Sequence, residues 1–569
     1  MSNSQVNYLP LIKFNNSLNT IFLAFLAFFF YQPLIAIFRV VFSERFSQGW
    51  ALFEWSQVIK PLRFSFLQAI LSTLLTLAVG LPAAWLFARF EFPGRQTLRA
   101  VSLLPFILPT VVVAAAFNTL IGPQGWINRA LMALFNLSAP PLKLLNSLFA
   151  ILLAHVFYNT SIIIRIVGAA WSRLNPRLEH AARLLGAKPW QAFTKVTLPL
   201  LMPSLLSASL LVFLFDFTSF GVVLMLGGPR FSTIEVEIYN QAMNRFNLPV
   251  AGLLSLIQLG ITLLVTLLQN RVNTPRYGKA ALNPERSALS RPAKPWQKTF
   301  VVLMVVCLIG LFAVPIFSLI TRSFVTLEAD RGQRGEAALG FTLRYYRELF
   351  HNRSGSIFYV PPIQAIRNSL VYSGVAILIA GSLGTLSAYA MARHARLNRL
   401  LEPLFMLPLG ASAVTLGLGF LLVFNRAPWV NSSFPIMVPI AHSLIALPFV
   451  VRTMLPAVRG IPVSLREASR SLGANPLQVL LRVDLPILLR NLLVSLVFVF
   501  TISLGEFGAS SFLSNPHAPT IPVAIYRYIS QPGALNYGQA LAMSSLLLLV
   551  CGLGSLLIEK IRLPGEELF

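Results

Sequence analysis

Apolar residues in this chain come in runs far longer than a buried strand or a core helix needs. Runs near 18–42, 64–88, 101–121, 147–170, 201–226 and 250–270 are followed by a second set near 300–322, 368–392, 403–425, 434–457, 488–513 and 536–558. About 20 apolar residues in helical form cross the hydrocarbon core of a bilayer. A helix also satisfies its own backbone donors and acceptors where no water can. The pattern predicts an all-α integral membrane fold of about twelve transmembrane helices, six in each half. The first run is too long for a cleaved signal and reads as a membrane helix. Between the two sets the chain is rich in Arg, Lys and Pro, the composition of a solvated linker. The expected organisation is a first transmembrane unit over 1–270, a cytoplasmic linker over 271–299 and a second transmembrane unit over 300–569.

Composition agrees with the bilayer. Hydrophobic residues make up 56% of the 569 and charged residues 11%, with a mean hydropathy of +0.71; soluble domains carry roughly a quarter charged residues. The formal charge of +26 raises the question of nucleic acid. The basic residues, however, sit in short runs between spans, such as Arg89, Arg95 and Arg99 or Arg393, Arg396 and Arg399. That is how cytoplasmic loops look under the positive-inside rule, so lipid, not nucleic acid, is the partner that the charge implies. An even number of spans per half puts the linker and both termini on that cytoplasmic side.

Chemistry-bearing motifs are scarce. Cys307 and Cys551 lie in apolar runs and form neither a metal spacing nor a disulfide framework. Gly278-Lys279-Ala280 lacks the earlier Gly and the hydroxyl of a phosphate loop. No catalytic or metal-ligating residue is assigned, and no cofactor is expected on this chain. Any energy-yielding reaction belongs to a partner.

The chain repeats itself. Sliding the sequence by 287 positions aligns 155–239 with 442–526 without a gap, matching His155 with His442, Arg165 with Arg452 and Gly186 with Gly473. Gln191 meets Gln478, Pro199 meets Pro486, and Ile238-Tyr239 meets Ile525-Tyr526. An offset of 304 relates the earlier helices, pairing Ser65 with Ser369, Gly80 with Gly384 and Ala88-Arg89 with Ala392-Arg393. With six spans per copy, the copies insert in the same orientation, a parallel repeat about an axis along the membrane normal.

The strongest repeated block is LEHAARLLGAKPWQAFTKVTLPLL from Leu178 and LREASRSLGANPLQVLLRVDLPILL from Leu465. Each reads as a short amphipathic helix, a Gly able to take positive φ, and a second helix with Pro in its first turn. Leu184, Leu185 and Leu472 are left in need of a partner. These blocks resemble the EAA loop of binding-protein-dependent ABC importer permeases: a Glu-Ala-Ala run, a Gly and a distal Leu-Pro. The second copy matches at Glu467, Ala468, Ser469, Gly473, Leu485 and Pro486. The first matches at Ala181, Ala182, Gly186, Leu198 and Pro199 but departs at His180, which stands where the family has Glu; Glu179 lies one step earlier. The resemblance implies a type I ABC importer permease-like fold whose loops dock two copies of an ATP-binding-cassette ATPase carrying Mg-ATP. It implies an extracytoplasmic solute-binding protein and an inner-membrane location. FPGR (92–95), GPQGW (122–126), GGPRFSTIEVEIYNQAM (227–243) and GEFGASSFL (505–513) look similar to the fused permeases of the ferric-iron and thiamine branch. An ion-gradient-driven secondary transporter also admits two related halves, but it has no need of duplicated docking loops.

Ionisable groups within spans are costly and usually face a bundle interior or a cavity. Asp216 and Glu506 fall near the outer ends of spans. Ser219 aligns with Glu506, and Asp216 and Ser219, one helical turn apart, share a face. Two acids near the outer mouth suit a cationic cargo; bonds to local backbone are the other reading. His155 and His442 either line the path or pack between helices by hydrogen bonding.

Overall fold

In a computed structural model of the chain, the described residues are 22–42, 53–272, 289–326, 340–351, 360–393, 408, 411–424 and 435–561. Most of the expected linker (273–288), the start of the chain and the basic stretch after Arg393 lie outside them. The described residues are helical throughout, with two isolated bridges, Phe90 to Ser290 and Val325 to Phe341, and no sheet.

Helices of the first copy include α1 (Phe22–Phe42), α2 (Ser56–Arg89), α3 (Thr110–Ile121), α4 (Leu148–Arg173), α5 (Pro176–Leu184), α6 (Pro189–Ala192), α7 (Leu198–Phe217), α8 (Gly221–Leu226), α9 (Ile234–Tyr239) and α10 (Leu248–Val272). Those of the second include α11 (Pro295–Arg322), α12 (Pro362–Arg393), α13 (Ala413–Phe424), α14 (Met437–Arg459), α15 (Val463–Ser471), α16 (Pro476–Val479), α17 (Leu485–Gly505), α18 (Gly508–Leu513), α19 (Ile521–Ser530) and α20 (Ala534–Ile561). Among the described residues, 11 helices are long and apolar enough to cross a bilayer. The expected span 403–425 is represented by α13, which is shorter.

Three expected spans are interrupted. The run 101–121 restarts at Thr110 because Leu108, extended at ψ 138°, precedes Pro109; a residue before proline is driven out of the helical region. The run 201–226 breaks between Phe217 and Gly221, and its counterpart 488–513 between Gly505 and Gly508. Both breaks fall beside the acids singled out above.

By contact, the chain divides into two compact units that do not follow the sequence halves. One comprises Met1–Ser47, Asn352–Ala524 and Leu553–Phe569; the other comprises Gln48–His351 and Ile525–Gly552. The N-terminal span α1 therefore packs among second-copy helices: Phe28 meets Phe424 at 5.7 Å, and a Cβ on Gly419 would stand 2.8 Å from Pro33. In the other unit, α11 lies against first-copy helices, with Ser318 and Thr119 hydroxyls 2.8 Å apart and Phe312 against Phe157 at 6.1 Å.

Each unit is built around the same three-helix core, α2–α4–α7 in one and α12–α14–α17 in the other. Ala84, Ile163, Val167, Trp171, Leu174, Leu201 and Val212 form the first. Their repeat equivalents, Ala388, Val450, Met454, Val458, Ile461, Leu488 and Val499, form the second. Gly80 and Gly384 show why glycine stands at both places. An added Cβ would come 2.7 Å from Ile163 Cβ in one core and 2.7 Å from Val450 Cβ in the other. Where lipid removes the hydrophobic drive between helices, such close approach supplies the packing energy.

Candidate docking loops and buried histidine clusters

After α4 and α14 the chain turns through two matching elbows. In the first, α5 is capped by Asn175, whose Oδ1 accepts from the Arg177 N–H at 3.0 Å. It stops at Leu185, and Gly186 takes φ +89°. The N–H of Ala187 donates to the Ala182 carbonyl at 3.1 Å and that of Gly186 to Arg183 at 3.0 Å. In the second, Gly473 takes φ +82°, Ala474 donates to Ser469 at 3.1 Å and Gly473 to Arg470 at 2.8 Å. Both elbows are thus Schellman turns, which satisfy the last carbonyls of a helix and need a left-handed residue at that step. The paired glutamines then start the next helix: Gln191 Oε1 accepts from the Lys188 N–H and Gln478 Oε1 from the Asn475 N–H, each at 2.9 Å. A five-residue π turn follows in each copy, Phe193–Thr197 and Leu480–Asp484. Leu198-Pro199 and Leu485-Pro486 open α7 and α17 directly after it. Proline lacks an N–H and crowds the preceding turn, and a wide turn leaves it room.

The elbows present bare apolar side chains. Leu184, Leu185 and Leu472 are 89%, 90% and 88% exposed, and Trp190 and Leu477 are also exposed. His180, Ala181, Glu467 and Ala468 are exposed as well, with Ala182 and Ser469 half-buried. His180 and Glu467 are repeat equivalents and both face outward.

Glu179 behaves differently. Its carboxylate lies 3.6 Å from the Arg89 guanidinium at the end of α2. Its repeat equivalent is Arg466, a reversal of charge. Arg466 Nε donates to the buried Asp484 Oδ1 at 2.9 Å, its Nη2 donates to the Tyr389 hydroxyl at 3.3 Å, and its guanidinium lies over the Tyr389 ring. Burial, and then the neighbouring Arg470 cation, hold the Arg466 pKa below its ordinary value.

The two histidines are buried between helices. His155 Nδ1 lies 3.0 Å from Ser72 Oγ and 3.4 Å from Asp216 Oδ1, and its Nε2 lies 2.8 Å from Ser219 Oγ. Asn159 donates to the same Asp216 oxygen at 2.6 Å. His442 reaches Ser503 Oγ through Nδ1 and Ser510 Oγ through Nε2, each at 2.8 Å, with Glu506 Oε2 3.3 Å away. Asp216 aligns with Ser503 and Ser219 with Glu506. Acid and hydroxyl have therefore exchanged places between copies, while each histidine keeps one of each. Asp216 and Ser219 do not share a helical face as the spacing suggests, since α7 ends at Phe217; it is His155 that brings them together.

The breaks next to these clusters are stitched from the side. The Glu506 carboxylate accepts from the N–H groups of Ala509 and Ser510 at 2.8 and 2.9 Å, capping α18. Ser65 Oγ accepts from the Ile234 N–H at 2.9 Å, and its equivalent Ser369 Oγ accepts from the Ile521 N–H at 2.8 Å. Each repeated serine meets a donor that a helix start leaves without an intrahelical partner.

Two acids escaped the sequence reading. Glu235 is buried and accepts from Gln258 Nε2 at 2.6 Å; Glu237 accepts from Gln241 Nε2 at 2.7 Å and pairs with Arg245 at 3.3 Å. The available signal was their absence from the second copy, where Pro522 and Ala524 stand.

Comparison with known proteins agrees with this duplicated architecture. The chain is 27% identical to the thiamine transport system permease protein ThiP of Escherichia coli over 546 residues, 94% of each chain. It is 28% identical over 465 residues to a probable ABC transporter permease protein of Sinorhizobium fredii, covering 80% of this chain and 79% of that one. A solved bacterial ABC transporter that imports alginate matches 46% of this chain and 94% of its own at 20% identity, with a TM-score of 0.39. The model of the family described as binding-protein-dependent transport system inner membrane component matches twice, over residues 76–276 and 380–561. The chain belongs to that family and carries its domain in two copies.

Proposed function

We propose that this permease moves a small cationic solute into the cytoplasm, driven by two ATP-binding-cassette ATPases that grip the elbows at Gly186 and Gly473. The observation that carries this reading is the pair of Schellman elbows at equivalent places, each raising unpartnered leucines into solvent. Apolar crests of this kind are interaction surfaces. A solute-binding protein delivers cargo on the opposite face, and the elbows, the linker and both termini are cytoplasmic. Free energy enters because the ATP-bound and ATP-free ATPases dock differently, which biases the permease between outward- and inward-open states.

The cargo assignment rests on two supports. ThiP relatives match 94% of the chain under the name of thiamine transport, and Asp216, Glu506, Glu235 and Glu237 supply carboxylates suited to a cation. Asp216, Ser219, Glu506, His155 and His442 are the proposed path-side residues, held ready at the two helix breaks. Ferric iron is the competing cargo. Titrating the partner binding protein with thiamine and with ferric salts, followed by uptake into proteoliposomes, separates the two. Uptake of neither discards the cation reading.

The docking assignment has its own test. Gly473→Val places a β-branched residue at φ +82°, a region that such side chains avoid. Transport should be lost and ATPase co-purification weakened, with Glu467→Gln showing the same direction. Normal uptake and normal co-purification in both variants would refute the assignment.

A further inference from the structure

We propose that the C-terminal end of the inter-repeat linker positions the first docking loop, with Arg89 as the joint; this rests on the docking reading above. The Ser290 N–H donates to the Arg89 carbonyl at 3.0 Å, and the Ser290 hydroxyl donates to the same oxygen at 3.1 Å. The Glu91 N–H returns a bond to the Ser290 carbonyl at 3.1 Å. Arg89 is the last residue of α2, where helix carbonyls lack intrahelical partners, and the linker supplies the donors. Aromatic packing holds the same junction independently. Trp296 stacks on Trp85, one turn before Arg89, at 6.2 Å and 5°, and Phe300 lies 4.8 Å from Trp85.

From this fixed backbone the Arg89 side chain reaches Glu179 in α5. In the second loop the equivalent residue, Arg466, is held by Asp484 and Tyr389, with no linker residue among those bonds. The first loop thus leans on a residue that the linker clamps, and the second leans on Asp484, in the π turn that leads into its own following span, and on Tyr389 of α12. A half-exposed ion pair adds little to global stability. Its loss should therefore be read in force transmission while the fold persists. Arg89 and Glu179 act as positioning residues, and the C-terminal end of the linker, through Ser290 and Trp296, is part of the coupling apparatus.

The test uses the full transporter in proteoliposomes, with solute moved per ATP hydrolysed as the readout. Arg89→Gln and Glu179→Gln should each lower that ratio by about threefold or more, with the second loop retaining the ATPase. The charge exchange Arg89→Glu with Glu179→Arg should recover most of it. Ser290→Pro, which deletes the donated N–H, should match Arg89→Gln, and combining the two should add nothing. Glu91→Pro, which deletes the return bond, gives the same test should Ser290→Pro fail to accumulate. An unchanged ratio in Arg89→Gln, an exchange as defective as the single variants, or full coupling in the proline variants overturns the proposal. Lost transport and weakened ATPase association in Gly473→Val alongside unchanged coupling in Arg89→Gln sinks this inference alone. Normal uptake with unweakened ATPase co-purification in both Gly473→Val and Glu467→Gln sinks the docking reading and this inference with it.

Discussion

The two elbows share a backbone and differ in what ties them down. Both have a left-handed glycine, a glutamine cap and a π turn at matching positions. The first is held by an ion pair at 3.6 Å between partly exposed groups, the second by a 2.9 Å bond to a carboxylate that is 1% exposed. Duplication preserved the shape of the loop and let the charges at its root reverse. Shape is set by local backbone chemistry, which every copy must satisfy; the anchor needs only some partner, and either sign serves.

This contrast can be broken experimentally. The largest stability effect is expected for Asp484→Ala, which strips Arg466 of its carboxylate and should cost about 2–3 kcal/mol in detergent unfolding. Ser369→Ala or Ser65→Ala leaves the buried N–H of Ile521 or Ile234 without its acceptor and should cost about 1–2 kcal/mol each. Similar losses in the two copies would confirm that the stitch is equivalent. Gln478→Ala and Gln191→Ala remove caps and should cost about 0.5–1 kcal/mol, read as a small drop in melting temperature. Smallest is Glu179→Ala, within about 0.5 kcal/mol and vanishing at high salt, because exposed pairs are screened. A Glu179→Ala loss as large as that of Asp484→Ala would erase the proposed difference between the elbows.

Much of this was legible in the residues. The glycines and Pro-bearing helix starts announced themselves because their chemistry is local: positive φ and a missing N–H are properties of one residue and its neighbours. Asp216 and Glu506 stood out as charges in apolar runs, yet the Asn159 partner of Asp216 did not, since the two are bonded across 57 residues. The Arg89–Glu179 pair was hidden for the same reason. Hydropathy could not foresee the breaks at 218–220 and 506–507, because a span-length window averages Thr218, Ser219 and Glu506 with the apolar residues on either side. Nor could it say which bundle a span joins: periodicity marks a face without naming its neighbour.

Helix α1 leaves the ribosome long before α13, against which Pro33 packs and which follows only after several hundred residues. At synthesis rates of about 5–20 residues per second, α1 waits roughly 20–75 s in the lipid with Phe29 and Phe30 not yet covered by the second-copy core. Biogenesis of the chain therefore includes an idle interval for α1, and factors that shelter an unpartnered helix in the bilayer would act on it.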